Sequence, residues 1–385
     1  MALGSDDTFR PLYGAAGPAA NGGRLGVNPL AQILRRRIDA EGPLTVAEYM
    51  TAVLLHPEHG YYVRKDPFGT DGDFVTAPEI SQMFGELLGL WCAVAWRQMG
   101  SPSPVSLVEL GPGRGTLMAD ALRALKMAPD LLESADVRLV EASPVLRSRQ
   151  REALPDNTVT WHDGVEDIPD GPVVLVANEF LDALPIRQLV RRDGAWHERL
   201  IAWEDGGFRF VLDPAASPLA ALLPDSLREG GSTGEIAEVS PAVLGLAQTV
   251  ASRIARDGGA ALFIDYGHTE SALGETLQGV RDHAFADVLA DPGSADLTAH
   301  VDFGAFARAA GDVAVHGPVE QGVFLERLGI GERSRTLMQS ASPRLREAFE
   351  AAHRRLTGPA EMGQLFKVVA LTGRNAPPPP GFEAP

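Results

Sequence analysis

The chain has 385 residues, of which 45% are hydrophobic, and its formal net charge at pH 7 is −17. This size and composition are typical of a globular protein with a large core, and no apolar run is long enough to span a bilayer. The acidic excess argues against nucleic acid or an anionic membrane face as a partner, because phosphate contacts need clustered basic side chains. We therefore expect no membrane insertion and no nucleic-acid binding, whereas a cationic partner suits this charge.

Residues 1–28 combine Gly, Ala and Pro with charged side chains and show neither a signal-peptide core nor a transit-peptide pattern. We expect this segment to be a flexible, uncleaved arm. Cys92 is the only cysteine, which excludes an intrachain disulfide and indicates a reducing compartment. We therefore predict a soluble, cytoplasmic protein, and the sequence leaves its oligomeric state open.

Residues 29–100 are predicted to form a helical front section. Thr45 and Glu48 have the spacing of a capping box, which predicts the start of a helix. Thr76 and Glu79 repeat this spacing and predict a further helix that continues to the end of the section.

From residue 101 the pattern changes to short apolar runs separated by helical segments. Such runs predict parallel strands that are covered on both faces. We therefore expect residues 101–373 to form an α/β domain with a doubly wound, Rossmann-like sheet. The runs are SLVEL (106–110), VRLVEA (137–142), TVTWHD (158–163), PVVLVANEF (172–180) and GAALFIDYG (259–267).

An inserted β-meander is predicted at residues 186–256, between the fourth and fifth runs. Its alternating pattern is interrupted by Asp-Gly dipeptides at 193–194 and 205–206, which favour hairpin turns. Two further strands are predicted in DVAVHGPV and QLFKVVALTG, near the end of the domain. Residues 374–385 include four consecutive prolines and are expected to form an extended, proline-rich tail.

A glycine-rich turn, VELGPGRGT (108–116), follows the first run and leads into a helix. A strand, glycine turn and helix in this order bring backbone amides close to a ligand. Gly111, Gly113 and Gly115 are evenly spaced, unlike the G-x-G-x-x-G of dinucleotide sites. Glu109 would repel a pyrophosphate but attract the ammonium and sulfonium charges of S-adenosylmethionine (SAM). We therefore expect SAM as the cofactor, and the alternative is a tight turn without a ligand.

Acidic residues also end the next two runs. Glu141 is placed to accept hydrogen bonds from both ribose hydroxyls of a nucleoside. Asp163 is placed to accept one from the adenine amino group. Asp73, in GTDGDFVTAPE (69–79), is predicted to lie in a mobile lid over the cofactor, although this segment also fits a plain loop.

Asn178, Glu179 and Asp182 follow the fourth run, at the sheet edge where α/β enzymes place their chemistry. Methyl transfer is a displacement at a cationic donor, so the enzyme aligns the nucleophile and removes a proton. If the nucleophile is an arginine nitrogen, Glu179 can pair with the guanidinium and localise its charge. We predict that these three residues are catalytic, and the alternative is that Asn178 and Glu179 only cap a helix.

The histidines do not predict a metal site. His56 and His59 are close in the chain, and DLTAHVDF contains Asp296, His300 and Asp302. Neither set has the spacing of a metal-binding motif, so we expect ordinary hydrogen bonds from these side chains.

Eight sequence blocks resemble the MidA-like methyltransferases, a family that contains a mitochondrial complex I assembly factor. The resemblance covers about residues 30–373, and the blocks occur in family order. The blocks are GDFVTAPEISQMFGE, VELGPGRGTLMAD, LVEASPVLRSRQ, ANEFLDALP, LFIDYG, DLTAHVDF, QGVFLERLGI and MGQLFKVVAL.

This resemblance implies a class I methyltransferase fold with a helical front section. It also implies a protein substrate, methylated on an arginine of the complex I core subunit near the quinone site. The residues that match the family's cofactor positions are Glu109, Gly111, Gly113 and Glu141. Asn178 and Glu179 fall in the family's motif after the fourth strand.

Two other functions fit the same residues. A methyltransferase of small molecules would have an enclosed pocket over Glu179 in place of an open groove for a protein loop. An assembly chaperone could retain the cofactor fold and use it for binding alone, although the glycine loop and its acidic partners count against this.

Overall fold

The computed structural model describes residues 28–64, 75–155 and 157–383. Asp73 and most of the predicted lid lie outside the described residues, as do residues 1–27 of the predicted arm. In the described part of the chain, no helix is long and apolar enough to cross a membrane.

Helices and strands alternate along most of the described chain. The helices are α1 (Pro29–Glu41), α2 (Val46–Leu55), α3 (Tyr61–Arg64), α4 (Ala77–Ile80), α5 (Gln82–Gln98), α6 (Thr116–Leu125), α7 (Pro129–Ser134), α8 (Pro144–Ala153), α9 (Asp225–Glu229), α10 (Pro241–Asp257), α11 (Phe303–Ala310), α12 (Gln321–Arg327), α13 (Ile330–Gln339), α14 (Pro343–Thr357) and α15 (Met362–Leu365). The strands are β1 (Leu44–Thr45), β2 (Val105–Leu110), β3 (Ala135–Val140), β4 (Val159–His162), β5 (Val173–Asn178), β6 (Arg187–Arg192), β7 (Ala195–Glu204), β8 (Gly207–Ala216), β9 (Ile236–Val239), β10 (Gly259–His268), β11 (Gln278–Arg281), β12 (Ala284–Ala286), β13 (Asp296–Thr298), β14 (Val301–Asp302), β15 (Ala314–Glu320) and β16 (Phe366–Thr372).

The central sheet has the strand order β4-β3-β2-β5-β10-β16-β15. The strands from β4 to β10 are parallel, whereas β16 runs antiparallel to both β10 and β15. β2 and β5 are buried over their whole length, as expected for strands that are covered on both faces. This sheet confirms the predicted doubly wound α/β fold, and each of the apolar runs forms a strand in it.

The connections of the sheet change direction between β2 and β5. From β2 the chain continues through β3 and β4 to one edge, and β5 and β10 then lie on the other side. In such sheets a crevice opens at the carboxyl ends of the two strands where the direction changes. The loops after Leu110 and Asn178, the last residues of β2 and β5, therefore meet at this crevice.

Helices cover both faces of the sheet. Leu107 packs in a core with α5 and α6, and its neighbour Val108 packs in a second core with α10 and α11. This alternation follows from the two-residue period of a strand. α5 and α6 approach closely at Gly89, where a Cβ atom would lie 2.6 Å from the carbonyl oxygen of Ala121.

The front section contains the predicted capping box. Glu48 N donates to Thr45 Oγ1, and Thr45 N donates in return to the Glu48 carboxylate. These bonds satisfy two amides at the start of α2 that have no partner within the helix. Both bonds join residues that are only three positions apart, so their spacing in the sequence was sufficient to predict them.

The continuous helix predicted from Thr76 is wrong. α4 is a single turn, and α5 begins separately with Ser81 as its N-cap. The side chain of Thr76 makes no cap hydrogen bond, and Glu79 accepts a hydrogen bond from Thr116 Oγ1 of α6. A tertiary contact thus occupies the carboxylate that the predicted capping box required.

The predicted β-meander is formed by β6, β7 and β8, and β9 extends its sheet. Its Asp-Gly turns have positive φ at both residues, 50° and 79° at 193–194 and 52° and 81° at 205–206, as type I′ turns require. β1 of the front section pairs with β7 in the same sheet. α10, which the predicted insertion included, packs on the central sheet. We therefore propose that the insertion ends near Val239, and the other domain limits stay predictions.

A small sheet between β10 and α11 was not predicted. β11 pairs antiparallel with both β12 and β13. These strands have only three or four residues each, too few for an alternating pattern to stand out from a loop.

The described part of the predicted tail is anchored to the helices. Trp91 Nε1 donates to the carbonyl oxygen of Pro380 at 3.2 Å. The ring of Phe382 lies 5.4 Å from that of Phe324, centroid to centroid. The tail therefore covers part of α5 and α12, which composition alone did not indicate.

Candidate active site

The turn after β2 has a backbone conformation that needs its glycines. Gly111, Gly113 and Gly115 have φ angles of 60°, 53° and 86°, a region that residues with a side chain rarely adopt. A Cβ atom on Gly111 would also lie 2.6 Å from Cδ2 of Phe180. The three predicted glycines therefore let the turn lie close against the end of β5.

A small open cleft lies beside this turn, at the crevice between β2 and β5. Its walls come from the glycine turn, from residues 76–79 at α4, and from the end of β5. The predicted site residues that line it are Glu109, Gly111, Gly113, Asn178 and Glu179. The structure thus brings together residues from two strands that the sequence separates by about seventy positions.

Two buried side-chain oxygens among the cleft residues have no hydrogen-bond partner within the described chain. They are Oε2 of Glu109 and Oδ1 of Asn178. Burial raises the pKa of Glu109 to about 8. Because a buried oxygen without a donor is costly, both positions suit a ligand that carries N–H donors and positive charge. SAM carries an ammonium group and a sulfonium centre, so Glu109 beside the glycine turn fits it, and Asn178 Oδ1 is left to accept from a second cationic group in the cleft.

Replacing Glu109 with glutamine is expected to stabilise the protein and to weaken SAM binding. The folded protein holds the carboxyl proton up to about pH 8, whereas the unfolded chain releases it near 4.5. The wild-type protein therefore loses more stability than the variant as the pH rises through this window, because the variant lacks the contribution of Glu109. We expect the variant to be more stable by up to about 4 kcal/mol near pH 8.5. We also expect about tenfold weaker SAM binding, because the ionic acceptor is lost.

Urea unfolding near pH 5 and pH 8.5 measures the first effect, and calorimetric titration with SAM measures the second. Tighter or unchanged SAM binding by the variant would contradict the role given to Glu109. If the difference in stability between variant and wild type does not grow with pH, the raised pKa of the buried Glu109 carboxyl is contradicted.

Glu141 lies directly after β3 and is connected to the glycine turn. Its carboxylate accepts from Ser143 N at 2.8 Å and from Gln150 Nε2 at 3.2 Å. Gln150 Nε2 also donates to the carbonyl oxygen of Gly113 at 2.8 Å. Burial raises the pKa of Glu141 to about 7. Gln150 thus connects Glu141 to the turn, although Glu141 is not among the residues that line the cleft, and the ribose contact stays a prediction.

Asp163 follows β4 and lies apart from the residues that line the cleft. Its side chain is 85% exposed and forms an ion pair with Arg147. Arg147 also donates to the carbonyl oxygen of Glu141, so the ends of β3 and β4 are held together by one guanidinium. The adenine contact predicted for Asp163 stays a prediction.

Glu179 is the first residue after β5, and it has an unusual backbone conformation, with φ of 50°. Its Oε1 accepts from Ala77 N of α4 at 3.0 Å and from Asn178 Nδ2 at 3.1 Å. Burial raises the pKa of Glu179 to about 7, and the nearby charge of Asp182 acts in the same direction. A carboxyl that titrates near neutral pH at a cleft is suited to proton transfer.

Asp182, predicted as catalytic, lies behind Glu179 and is not among the residues that line the cleft. Its carboxylate accepts a hydrogen bond from the hydroxyl of Tyr266 in β10. Burial raises the pKa of Asp182 to about 6. The arrangement favours a role in holding the loop over direct contact with a substrate.

In the described residues, no group of three or more His, Cys, Asp and Glu side chains could hold a metal ion. Asp296 accepts from the Tyr62 hydroxyl at 3.0 Å, and Asp302 caps α11 through Ala305 N at 2.8 Å. Each of these acidic residues therefore has a structural partner.

Residues 87–319 match the family model Methyltransf_28, described as S-adenosyl-L-methionine-dependent methyltransferase. The chain belongs to this methyltransferase family. It is also 40% identical to "Protein arginine methyltransferase NDUFAF7 homolog, mitochondrial" of Drosophila melanogaster, over 94% of this chain and 91% of the relative. It is 38% identical to the Homo sapiens protein arginine methyltransferase NDUFAF7, mitochondrial, over 90% of this chain and 83% of the relative. These matches confirm the predicted MidA-like resemblance.

A solved structure agrees with this assignment. A COG1565 superfamily member from Burkholderia thailandensis, bound to S-adenosyl-homocysteine, is 30% identical, with a TM-score of 0.75 and coverage of 92% of both chains. The predicted class I methyltransferase fold is thereby confirmed. As a member of this family, the chain is a SAM-dependent methyltransferase.

The prediction of a cytoplasmic protein is wrong. The NDUFAF7 relatives from Drosophila melanogaster and Homo sapiens are mitochondrial proteins. The prediction failed because a single cysteine indicates only a reducing compartment and does not say which one.

Sequence reasoning missed two residues of β10 that hold the loop 179–182 at the cleft. Asp265 and Tyr266 contact the segment 179–182 from the neighbouring strand. A signal was present, because Asp265 is an acidic residue near the end of an apolar run, as are Glu109 and Glu141. The sequence does not show which loop lies beside the end of β10, so an acidic residue there predicts a ligand contact as readily as a contact with a neighbouring loop.

Proposed function

We propose that this methyltransferase transfers a methyl group from SAM to an arginine side chain of a protein. The relatives from Drosophila melanogaster and Homo sapiens are protein arginine methyltransferases that match at least 90% of this chain. The observation that carries the proposal is the half-buried carboxylate of Glu179 beside the buried Oδ1 of Asn178, which has no partner among the described residues, at the cleft. A guanidinium presents a positive charge and several N–H donors in one plane, which such a pair of acceptors matches.

The cofactor contacts that we propose follow the predicted residues. Glu109 accepts from the ammonium group, Glu141 accepts from the ribose hydroxyls, and Asp163 accepts from the adenine amino group. The glycine turn lets the backbone approach the cofactor. When bound, SAM supplies a methyl group on a positively charged sulfur, from which a nucleophile can displace it.

Glu179 then has two tasks toward the arginine. Its ionised carboxylate pairs with the guanidinium and localises the charge, so that one nitrogen recovers a lone pair. The same carboxylate accepts the proton that the methylated nitrogen must lose. Asn178 Oδ1 accepts from a second guanidinium nitrogen and fixes the orientation of the group. The partly buried position of this carboxylate lowers the local dielectric constant and thereby strengthens its interaction with the cation.

We further propose that the methylated arginine belongs to a subunit of respiratory complex I. The family resemblance implies the core subunit near the quinone site. The net charge of −17 supports a cationic protein segment as the partner.

The test compares cells with and without this gene after growth on methionine carrying a deuterated methyl group. We expect mass spectrometry of the complex I subunits to find labelled methylarginine only when the gene is present. Label that depends on the gene but appears only in small metabolites would favour a small-molecule methyltransferase. If purified protein shows no calorimetric binding at millimolar SAM, a chaperone that has lost the cofactor would be the better explanation.

A further inference from the structure

We propose that Asp265, near the end of β10, is a positioning residue that holds the loop 179–182 so that Glu179 faces the cleft. Asp265 Oδ2 accepts from the three consecutive backbone amides of residues 180–182, at 3.1, 2.8 and 3.2 Å. Its other oxygen accepts from Tyr266 N at 2.9 Å. A single carboxylate thus binds every backbone amide that follows Glu179 in this loop.

The loop needs such an anchor because of its backbone at Glu179. Glu179 N still donates to the carbonyl oxygen of Ile264 at 2.9 Å, which extends the pairing of β5 and β10 by one residue. The chain then turns through the left-handed region at Glu179. Such a conformation is unfavourable in a residue with a side chain, and it persists only where the surroundings hold it. The hydrogen bonds to Asp265 come directly after this strained residue.

A second contact from the same strand fixes the far end of the loop. The Tyr266 hydroxyl donates to the side chain of Asp182, and Ala299 N donates to the carbonyl oxygen of Asp182 at 3.0 Å. Neither Asp265 nor Tyr266 is among the residues that line the cleft. Asp265 is only 1% exposed. Both residues therefore act on the chemistry through the loop, without touching the substrate or cofactor.

Retaining this buried acid is costly unless the loop requires it. Burial raises the pKa of Asp265 well above its usual range, and the charges of Asp182 and Glu179 raise it further. An isolated buried carboxyl of this kind lowers stability. The four amide hydrogen bonds offset this cost, and the three from residues 180–182 are made only when the loop has its present conformation.

The test uses the full-length variant Asp265→Ala. Alanine removes both carboxylate oxygens, including the single oxygen that accepts from all three amides of residues 180–182. Hydrogen exchange measured by mass spectrometry should show about tenfold faster exchange in the peptide that contains residues 180–182. This readout is independent of any activity.

Kinetics of the same variant use labelled SAM and, as acceptor, protein extract from cells that lack the gene. The role of Asp265 rests on the proposed function of Glu179, so the experiment separates the two. The total methyl label incorporated into protein tests the role of Asp265, whereas the fraction of that label found on arginine tests the proposed function. We expect the maximal rate to fall at least tenfold, while the KM and Kd for SAM stay within about threefold, because the contacts of the glycine turn are unchanged.

The matched control is Glu238→Gln. Glu238 is also a carboxylate that holds backbone amides, Thr276 N at 3.1 Å and Leu277 N at 3.3 Å, but outside the cleft. It should lose stability without change in the rate or in exchange at 180–182. If Asp265→Ala does not fold, the milder variant Tyr266→Phe, which keeps the ring and loses only the hydroxyl bonded to Asp182, should lower the rate in the same direction. Unchanged exchange at 180–182, or a normal maximal rate with a loosened loop, would overturn the proposal.

Discussion

Replacement of Glu179 by glutamine should lower the rate of methyl transfer about 1000-fold and leave the affinity for SAM within about threefold. The amide keeps the shape of the side chain and can still accept from Ala77 N and Asn178 Nδ2. It removes the negative charge that pairs with the guanidinium and the base that takes up the proton, which together are worth about 10²–10⁴ in rate. Initial rates with labelled SAM and calorimetric titration measure the two quantities separately. Glu238→Gln again serves as the control.

The pH dependence of the wild-type enzyme tests the same residue. Burial raises the pKa of Glu179 to about 7, so the carboxyl is protonated in most molecules below that pH and is ionised above it. We therefore expect the rate at saturating SAM to rise with pH around neutrality, and the residual rate of Glu179→Gln to lack this step. A wild-type rate that falls with pH over this range, or a variant with normal turnover, would contradict the role of Glu179.

Replacement of Glu141 by alanine should weaken SAM binding about 100-fold, equivalent to about 2.7 kcal/mol. The loss has two sources. The variant lacks the charged acceptor for both ribose hydroxyls, and each such hydrogen bond contributes about 1.5–3 kcal/mol before desolvation is counted. It also frees Ser143 N and Gln150 Nε2, which connect this strand end to the glycine turn. Calorimetry with SAM and with S-adenosylhomocysteine measures the effect, and both ligands should lose affinity equally.

Two alanine variants calibrate this result. Glu152, an exposed residue of α8 paired with Arg149, should leave the affinity unchanged when replaced. Asp163→Ala should weaken SAM binding about fivefold, since Asp163 is exposed and offers one hydrogen bond to the adenine. An affinity for Glu141→Ala equal to that of the Glu152 control would refute the ribose contact.

Much of the fold could be predicted because buried parallel strands leave a strong local pattern. The runs that became β2, β3, β4, β5 and β10 are short, apolar and bounded by helices or turns, and each forms a strand of the central sheet. The Asp-Gly turns of the meander also depend only on local backbone preference. β1 and β11 to β13 were missed because strands of two to four residues carry almost no periodicity.

The candidate site could be predicted in part for a similar reason. Glycines spaced as in a tight turn and acidic residues at strand ends can be recognised in the sequence, and Glu109, Glu141 and Glu179 were predicted in this way. The partners of each carboxylate were not visible. Ala77 meets Glu179 across about one hundred positions, and Asp265 meets residues 180–182 across about eighty-five.

The sequence by itself determined the α/β class, the glycine turn and the acidic strand ends, because these depend on local conformation and on the burial of whole strands. Only the tertiary structure decided which of those acids share a cleft and which are held elsewhere. Asp163 forms an ion pair with Arg147 at the surface, and Asp182 accepts a hydrogen bond from Tyr266. Glu79 accepts a hydrogen bond from Thr116 and does not form the predicted capping box. The physical reason is that a carboxylate in a folded protein accepts hydrogen bonds from the donors that lie nearest to it, and many of these donors belong to distant parts of the chain.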